Sequence, residues 1–488
     1  MMAKNLTMAR KPGLLSLLSF YPPLSIIRDA LNGSRARVFL VGGAIRNYYL
    51  DRRGSDLDFA VDNGAIALSR KLARHIKGSF VLLDREHGSA RVVKKQDGVI
   101  WTFDLTDWRG ASIQKDLALR DFTINALALD VLSKDATTPV VLGTKWSQRD
   151  LKTGVVRMVS PEIFKDDPLR LLRAFTLQAT LGFKMDAQTS GQIKKDAHLI
   201  SQVAAERIRE EIFKILASPR AYKILSDMDK IGLLPQVVPQ ITVMYGVRQG
   251  GYHHLDVWRH SLEVVSKIEK LINEMASDER MGTYLQDTVG GGHARLALLK
   301  MAAILHDIGK PETRRLEGKH MTFHSHEHAG ERITRQVSRQ LKLSVKERFF
   351  LEDAVRMHLR PGYLSNFKRP SEKAIFRYLR DTKQEAVSLA ILALADQAAT
   401  RGPLTTEAKH KHHARICHML IDRYFEYKNK IPKQRLLTGH DLIKVLRLRP
   451  SELFGKILSR IEEDAALGKI TTRDEALTMA RQMSRNKH

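Results

Sequence analysis

The sequence has almost no cysteine and no long apolar run. Cys417 is the one cysteine among 488 residues, so no intramolecular disulfide can form, and we expect a reducing, cytoplasmic compartment. No apolar run approaches the ~20 residues that a membrane-spanning helix needs. The sequence therefore predicts a globular protein of several domains without a membrane partner.

Acidic residues are also scarce relative to basic ones. The chain has 54 Asp and Glu against 81 Lys and Arg, which gives a net charge of +27. Such an excess favours a polyanionic partner, and nucleic acid is the first candidate. A merely basic surface is the alternative that charge alone leaves open.

The N-terminus resembles a short signal peptide, because Lys4, Arg10 and Lys11 precede the apolar run Leu14–Phe20. That run is very short, and Pro22 and Pro23 end it. We therefore interpret residues 1–32 as a lead-in that contains a helix.

The stretch 38–61 carries the first chemical pattern. Val38–Val41 is an apolar, β-branched run typical of a buried strand. Gly42 and Gly43 follow, and a helix that starts there would let its backbone N–H groups approach a phosphate. Asp56 and Asp58 flank Leu57 on a second strand, so both carboxylates point to one face. The pattern predicts a magnesium and triphosphate site.

In this order the residues resemble the class II nucleotidyltransferases, which include tRNA CCA-adding, CC-adding and A-adding enzymes and bacterial poly(A) polymerases. The family pattern is Gly-Gly-x-x-Arg-Asp followed by Asp-x-Asp, and Asn47 stands where the family usually has Asp. The resemblance implies a polymerase-β-like head that binds ATP or CTP through Gly42, Gly43 and Arg46. It also implies Mg²⁺ on the paired aspartates.

Three further strands, 79–84, 89–95 and 99–108, follow an amphipathic helix over 65–76. The last strand contains Asp104, which by itself reads as an edge-strand acid. The family pattern Phe-Asp/Glu-x-x-x-x-Arg, here Asp104 to Arg109, implies that Asp104 is a third catalytic, metal-binding carboxylate.

Residues 120–126 read Arg-Asp-Phe-Thr-Ile-Asn-Ala, which is nearly a signature of the same group. From the residues alone, Asn125 is a polar side chain in an apolar run that needs a hydrogen-bonding partner. The resemblance implies that Arg120 meets the triphosphate, while Asp121 and Asn125 hold the sugar end and the local fold.

An amphipathic helix is predicted over 163–183, with Asp167 and Pro168 at its start. Asp167 and Arg170 share a face, with Arg173 nearby, and an exposed ion pair is the plain interpretation. With Asp166 in place of a usual Glu, the segment resembles the family's Glu-Asp-x-x-Arg element, whose Asp and Arg pair with the edge of the incoming base. The helix 204–216, with Glu206, Arg207 and Glu211, is either the family's next element or a surface helix with ion pairs.

Beyond residue 240, histidines and aspartates recur beside apolar helical segments and predict a second site. Imidazoles and carboxylates that converge from several helices can form a metal cage. Their order resembles the HD phosphohydrolase superfamily, which implies a divalent transition metal (Mn, Ni, Fe or Zn) on His260, His306, Asp307, His326, His358 and Asp396. The neighbouring His253, His254, His324 and His328 remain alternative ligands.

Two remaining segments carry weaker expectations. Residues 275–296 are predicted to be a loop, and 401–488 to be helical and basic. Within the latter, 408–418 is rich in histidine, and we interpret it as a solvated basic helix rather than a metal site.

Together these patterns predict an α+β protein with a mixed-sheet head, a helical neck and an HD helical domain. The predicted boundaries are 1–32 lead-in, 33–150 head, 151–240 neck for nucleotide and RNA, 241–405 HD domain and 406–488 basic helical tail. The predicted activity is template-independent addition of CMP and/or AMP to RNA 3′ ends, with tRNA as first choice. A poly(A) polymerase is the alternative, as is an HD phosphohydrolase whose head only binds RNA.

Overall fold

The structure is a computed structural model that describes residues 14–133, 141–318, 320–430, 436–445, 447, 449, 451–466 and 468–485. The positive residues of the lead-in, Lys4, Arg10 and Lys11, lie outside these residues. The chain forms two compact units. One contains the described residues up to Ile215 together with Asp227–Val237, and the other contains Leu216–Ser226 and the residues from Val238 onward.

The first unit begins with α1 (Leu14–Phe20) and α2 (Pro23–Leu31), so the predicted lead-in helix is a pair of helices divided at the two prolines. The head then alternates strands and helices: β1 (Val38–Val41), α3 (Gly43–Tyr49), β2 (Asp56–Val61), α4 (Ala65–Ile76), β3 (Ser79–Asp84), β4 (Ser89–Gln96), β5 (Val99–Asp107), α5 (Ile113–Ala118), β6 (Leu127–Asp130) and β7 (Leu142–Gly143). These bounds confirm the strands and the 65–76 helix that the sequence predicts.

The seven strands form one mixed sheet in the order β3-β4-β5-β2-β1-β6-β7. Only β2 and β5 pair in parallel, and the remaining pairs are antiparallel. Side chains alternate between faces, so the residues on either side of Asp58 in β2, Leu57 and Phe59, are buried on the opposite face. The face that carries Asp58 continues into a small apolar cluster that includes Val41, Ala60 and Leu117.

Helices dominate the rest of this unit: α6 (Ser147–Thr153), α7 (Ile163–Asp166), α8 (Arg170–Leu181), α9 (Ala187–Asp196) and α10 (Ala205–Ala217), with the short strands β8 (Val155–Val156) and β9 (Lys184–Met185). The prediction of one helix over 163–183 is wrong, because Asp167 adopts an extended conformation between α7 and α8. Asp167 nevertheless caps the next helix, since its carboxylate accepts a hydrogen bond from the Leu169 N–H at 3.3 Å.

The chain continues with α11 (Ala221–Lys230) and α12 (Leu234–Val237), and the second unit is then almost entirely helical. Its helices are α13 (Val257–Glu274), α14 (Glu279–Gln286), α15 (Arg295–Leu305), α16 (Lys310–Thr313), α17 (His326–Gln340), α18 (Val345–Met357), α19 (Arg360–Leu364), α20 (Glu372–Thr382), α21 (Ala386–Ala399), α22 (Glu407–Lys430), α23 (Gly439–Lys444), α24 (Glu452–Ala466) and α25 (Arg473–Arg485), with a hairpin of β10 (Arg315–Glu317) and β11 (His320–Thr322). Helices α15 and α21 are buried along most of their length and form the centre of this unit.

Two predictions for the second unit need correction. The predicted loop 275–296 contains α14, which Asp278 starts by accepting a hydrogen bond from the Arg280 N–H. The histidine-rich segment is helical as predicted, but it is not wholly solvated, because His413 and Cys417 are buried. Within the described residues, no helix combines the length and the apolar character that crossing a membrane requires.

Candidate functional site

The glycine turn after β1 brings the chain close to two charged side chains. Gly42 has φ 74° and ψ −135°, a conformation that only glycine adopts without strain. A Cβ placed on Gly42 would lie 3.5 Å from Arg120 Nη1 and 3.6 Å from Asp58 Oδ2. The turn therefore joins the start of α3 to one carboxylate and one guanidinium.

The predicted catalytic carboxylates lie on adjacent parallel strands. Asp58 in β2 is the register partner of Asp104 in β5, and Asp56 is the partner of Thr102, whose hydroxyl donates to it. Arg91 in β4, the register partner of Asp104 on the other side, donates from Nε and Nη2 to the two Asp104 oxygens at 2.7 Å each. The structure thus brings the three aspartates to one face, with a guanidinium bound to the third.

Electrostatics in this row reflect the crowding of like charges. Burial raises the pKa of Asp58, and the neighbouring Asp104 raises it further. The hydrogen bonds to Asp104 raise the pKa of Arg91, and the charges of Asp56 and Asp58 contribute in the same direction. A divalent cation fits this site, because carboxylate oxygens are the ligands Mg²⁺ prefers and it would relieve the repulsion that Asp104 and Asp56 exert on Asp58.

A chain of hydrogen bonds links three elements behind the glycine turn. Arg46 in α3 donates to the Asn125 side-chain oxygen, and Asn125 Nδ2 donates to Asp121 Oδ1 at 3.1 Å. Asp121 Oδ2 lies 2.9 Å from Arg173 Nε in α8. Burial alone would raise the pKa of Asp121, but Arg173, Asn125 and the Phe122 N–H outweigh it and lower the pKa. The buried polar groups of the signature segment thus have partners.

The departure from the family pattern at Asn47 has a structural counterpart. The Asn47 side-chain oxygen accepts hydrogen bonds from Arg46 Nε and Nη2 at 3.2 and 3.0 Å. Burial lowers the pKa of Arg46 to about 10, with Asp121 acting in the opposite direction. An amide at position 47 orients the Arg46 guanidinium without neutralising it.

Arg120 is held by a residue that sequence reasoning missed. Its Nε and Nη2 donate to Asp116 Oδ2 at 3.0 and 2.8 Å, and the Arg109 N–H donates to Asp116 Oδ1 at 3.1 Å. Asp116 lies four residues before Arg120, and this helical spacing was the available signal.

The predicted base-reading pair is arranged differently from the expectation. Asp167 pairs with Arg207 rather than with Arg170: its Oδ1 and Oδ2 accept from Arg207 Nη1 and Nη2 at 3.2 and 3.0 Å. Arg170 Nη1 donates to the Ile163 carbonyl oxygen at 3.3 Å. Arg207 belongs to α10, for which the sequence allowed two interpretations, a family element or a surface helix with ion pairs.

In the second unit, all six predicted histidines and aspartates converge. Two groups of three ligand atoms each lie within 4.8 Å of one another: one is His260, His306 and Asp396, and the other is Asp307, His326 and His358. Asp307 joins the groups, because its Oδ2 is 3.2 Å from His306 Nε2 and its Oδ1 is 3.4 Å from His326 Nε2. All but Asp396 are buried.

Three of the imidazoles are oriented for metal binding by backbone carbonyls. The Nδ1 atoms of His306, His326 and His358 each donate to the carbonyl oxygen three residues earlier, at 2.9, 2.8 and 2.6 Å. This fixes the tautomer that leaves the Nε2 lone pair free as a ligand. Burial lowers the pKa of His358 to about 3, which keeps that ring neutral.

Three buried polar atoms of the six ligand residues have no hydrogen-bond partner among the described residues: His260 Nδ1, His306 Nε2 and Asp307 Oδ1. The last two lie inside the ligand groups and fit a bound cation, and the imidazole-rich donor set suits Mn, Ni, Fe or Zn better than magnesium. Of the alternative ligands, His253 stacks edge-on against His260 with 4.7 Å between ring centroids, and is not in either group. Lys310, in the run that follows His306 and Asp307 in the sequence, donates to Asp307 Oδ2 at 2.6 Å.

Both units match family models. The head sheet and its glycine turn match "Poly A polymerase head domain" over residues 38–157, which defines the class as polymerase-type nucleotidyltransferase. Residues 182–244 match "Probable RNA and SrmB- binding site of polymerase A", and residues 257–401 match "HD domain".

Full-length relatives narrow the class. The chain is 32% identical over 451 residues to an A-adding tRNA nucleotidyltransferase of Deinococcus radiodurans, which covers 90% of this chain and 93% of that protein. It is 30% identical to a CC-adding tRNA nucleotidyltransferase of Thermus thermophilus, over 90% of this chain and 92% of that protein. The chain belongs to the tRNA nucleotidyltransferase family.

Solved structures confirm the α+β fold. A CCA-adding enzyme solved with ATP superposes with a TM-score of 0.63 at 18% identity, covering 98% of each chain. The Thermotoga maritima CCA-adding enzyme, solved with tRNA, gives a TM-score of 0.57 at 17% identity over 98% of this chain and 99% of that chain.

Proposed function

We propose that this protein adds CMP and/or AMP to the 3′ end of tRNA without a template. The observation that carries the proposal is the register row of Asp58 and Asp104, which lies beside the Gly42 turn and Arg120. Asp56, Asp58 and Asp104 would hold Mg²⁺, which activates the RNA 3′ hydroxyl and stabilises the charge on the departing pyrophosphate.

The surrounding residues have distinct tasks in this proposal. The Gly42 and Gly43 backbone, with Arg46 and Arg120, receives the triphosphate, and Asp121, Asn125 and Arg173 fix the sugar end. Asp167 and Arg170 select the base by hydrogen bonding to its edge, so protein side chains take the place of a template. The domain boundaries predicted from the sequence, including the RNA-binding neck over 151–240, belong to this proposal.

The decisive experiment supplies Mg²⁺, labelled ATP or CTP, and tRNA that lacks its end. Because the two relatives above are named for A addition and CC addition, both tRNA without CCA and tRNA ending in CC are needed as acceptors. Sequencing of the added tail separates CCA, CC-only, A-only and poly(A) addition. No addition to either acceptor with any nucleotide would refute the proposal and leave an HD phosphohydrolase with an RNA-binding head.

A second activity is favoured by the unpartnered His306 Nε2 and Asp307 Oδ1 atoms in the second unit. We propose that this centre binds one or two divalent transition metals and hydrolyses a phosphoester, such as a 2′,3′-cyclic phosphate at an RNA end. A bound metal would lower the pKa of a water molecule. The water oxygen would bond to phosphorus while one ring P–O bond breaks, which leaves a phosphomonoester and a free hydroxyl.

A further inference from the structure

Arg91 is hydrogen-bonded to Asp104, the carboxylate that the proposed transferase site needs as a metal ligand. Both oxygens of Asp104 accept from it at 2.7 Å, in the parallel fork geometry that arginine and carboxylate favour. Yet 43% of the Arg91 side chain and 22% of the Asp104 side chain are exposed. Because solvent reaches both side chains, the pair can exchange its partners.

The strand register fixes where Arg91 lies relative to the glycine turn. Arg91 pairs with Asp104, Asp104 with Asp58, and Asp58 with Val41, the residue before Gly42. Neighbouring strands are ~4.8 Å apart, so Arg91 and the turn lie at opposite ends of the row, ~14 Å from each other. The carboxylates lie between them.

The geometry of nucleotidyl transfer relates the separation of Arg91 from the glycine turn to the positions of the two substrates. In phosphoryl-type transfer, the attacking and leaving oxygens are roughly in line on opposite sides of phosphorus. If the triphosphate binds at the Gly42 turn beside Arg120, pyrophosphate leaves towards that end of the row. The RNA 3′ hydroxyl then approaches from the β4 end, where Arg91 is the charged group bound to Asp104.

We propose that Arg91 binds the terminal phosphodiester of the acceptor RNA, and that a divalent cation on Asp104 releases it for this task. The proposal rests on the transferase function proposed above. In the metal-free protein Arg91 supplies positive charge to the three aspartates. When the metal replaces it, the freed guanidinium meets a phosphate, which it can bind with two parallel hydrogen bonds. Metal binding and acceptor binding are thus coupled through one side chain.

A purely structural Arg91 makes the opposite prediction. If its task were to hold Asp104 in place for the metal, its removal would weaken metal binding and leave the acceptor KM unchanged. If it competes with the metal, its removal strengthens metal binding and raises the acceptor KM. The sign of the change in metal affinity therefore separates the two roles.

The first measurement is Mn²⁺ binding to the full-length protein, with free Mn²⁺ followed by electron paramagnetic resonance. The HD centre, which is the set of six histidines and aspartates in the second unit, is first filled with Zn²⁺. Imidazole ligands hold Zn²⁺ more tightly than Mn²⁺. Binding that disappears in Asp58→Asn is assigned to the head. We expect Arg91→Gln to bind Mn²⁺ about two- to fivefold more tightly there, and weaker or unchanged binding would overturn the proposal.

The second measurement is the steady-state kinetics of nucleotide addition at saturating metal. We expect Arg91→Gln to raise the KM for acceptor tRNA about tenfold while the nucleotide KM changes little, because a charge-assisted phosphate contact is lost. Arg91→Lys should show part of the acceptor affinity that Arg91→Gln loses, since lysine keeps the positive charge but lacks the two parallel N–H donors of the guanidinium. Lys94→Gln, the same charge change on the opposite face of β4, is the matched control.

The outcomes are separable. An unchanged acceptor KM in Arg91→Gln overturns the acceptor contact even if metal binding tightens. A wild-type protein that adds no nucleotide refutes the transferase function itself, whatever Mn²⁺ binding shows.

Discussion

His326 Nε2 and His358 Nε2 face each other at 3.3 Å, while the Nδ1 atom of each ring donates to a backbone carbonyl. With both protons on Nδ1, two lone pairs point at one another across a buried centre. A cation between or beside them removes this repulsion, and Asp307 Oδ1 is 3.4 Å from His326 Nε2. This pair is the most direct structural sign of a metal in the second unit.

The first prediction follows from this pair. The protein, dialysed against Mn²⁺, Ni²⁺ or Zn²⁺ and then against buffer, should retain one to two ions per chain by elemental analysis. His358→Ala should reduce the amount of retained metal, because one ligand of the Asp307 group is lost. The increase in thermal midpoint that metal loading produces should also become smaller. His418→Ala, at an exposed histidine of α22, should behave like wild type. Metal-free wild-type protein after loading would contradict the assignment.

The second prediction concerns the independence of the two units. His306→Ala combined with Asp307→Ala should abolish hydrolysis of a 2′,3′-cyclic nucleotide while nucleotide addition to tRNA survives. The reason is that both residues serve the HD centre and neither belongs to the sheet that carries Asp58. Circular dichroism must show that the variant is folded. If wild type hydrolyses nothing with any divalent metal and retains none, the HD domain is only a scaffold.

The third prediction concerns the carboxylate row, which consists of Asp56, Asp58 and Asp104. Asp56→Asn or Asp58→Asn should reduce nucleotide addition at least about 10³-fold, because each removes a charged metal ligand at the reacting phosphate. Asp58→Asn should also raise the thermal midpoint of the metal-free protein at neutral pH. The sign follows from the raised pKa of Asp58: its ionised form is disfavoured in the folded state, so stability is lost as pH rises through that pKa.

Melting curves in chelator and addition assays in Mg²⁺ test both parts of this prediction. Asp51→Asn, at an exposed position outside the row, serves as the control for the loss of one negative charge. Near wild-type transfer by a folded Asp58→Asn protein would show that the metal assignment is wrong.

The fourth prediction concerns the choice of base. Asp167→Ala or Arg170→Ala should reduce discrimination among the four nucleotides more than it weakens triphosphate binding. Arg207→Gln should do the same more mildly, because it frees the Asp167 carboxylate from the two hydrogen bonds that orient it. Competition assays with mixed nucleotides measure this, and Lys165→Gln, an exposed lysine paired with Glu162, is the control. Discrimination equal to that of wild type would refute the base-reading role.

Local patterns were sufficient for much of the fold. The strand Val38–Val41, the helix 65–76 and the cap at Asp167 follow from side-chain periodicity, glycine and capping residues, which act within a few positions of the chain. The loop predicted over 275–296 failed for a local reason too, since Asp278 was an available cap for α14. Periodicity also missed the break before α8, where a residue in extended conformation interrupts an apolar pattern that continues on both sides.

The sequence by itself determined which residues are proposed to carry the chemistry, because Asp-x-Asp on a strand and the HD histidines are properties of order and spacing. Only the tertiary structure decided their partners. Arg91 reaches Asp104 through strand pairing, Arg207 reaches Asp167 across 40 positions, and Asp307 joins two groups of ligands drawn from separate helices. Such contacts depend on sheet register and helix packing, which bring together residues that no local pattern relates.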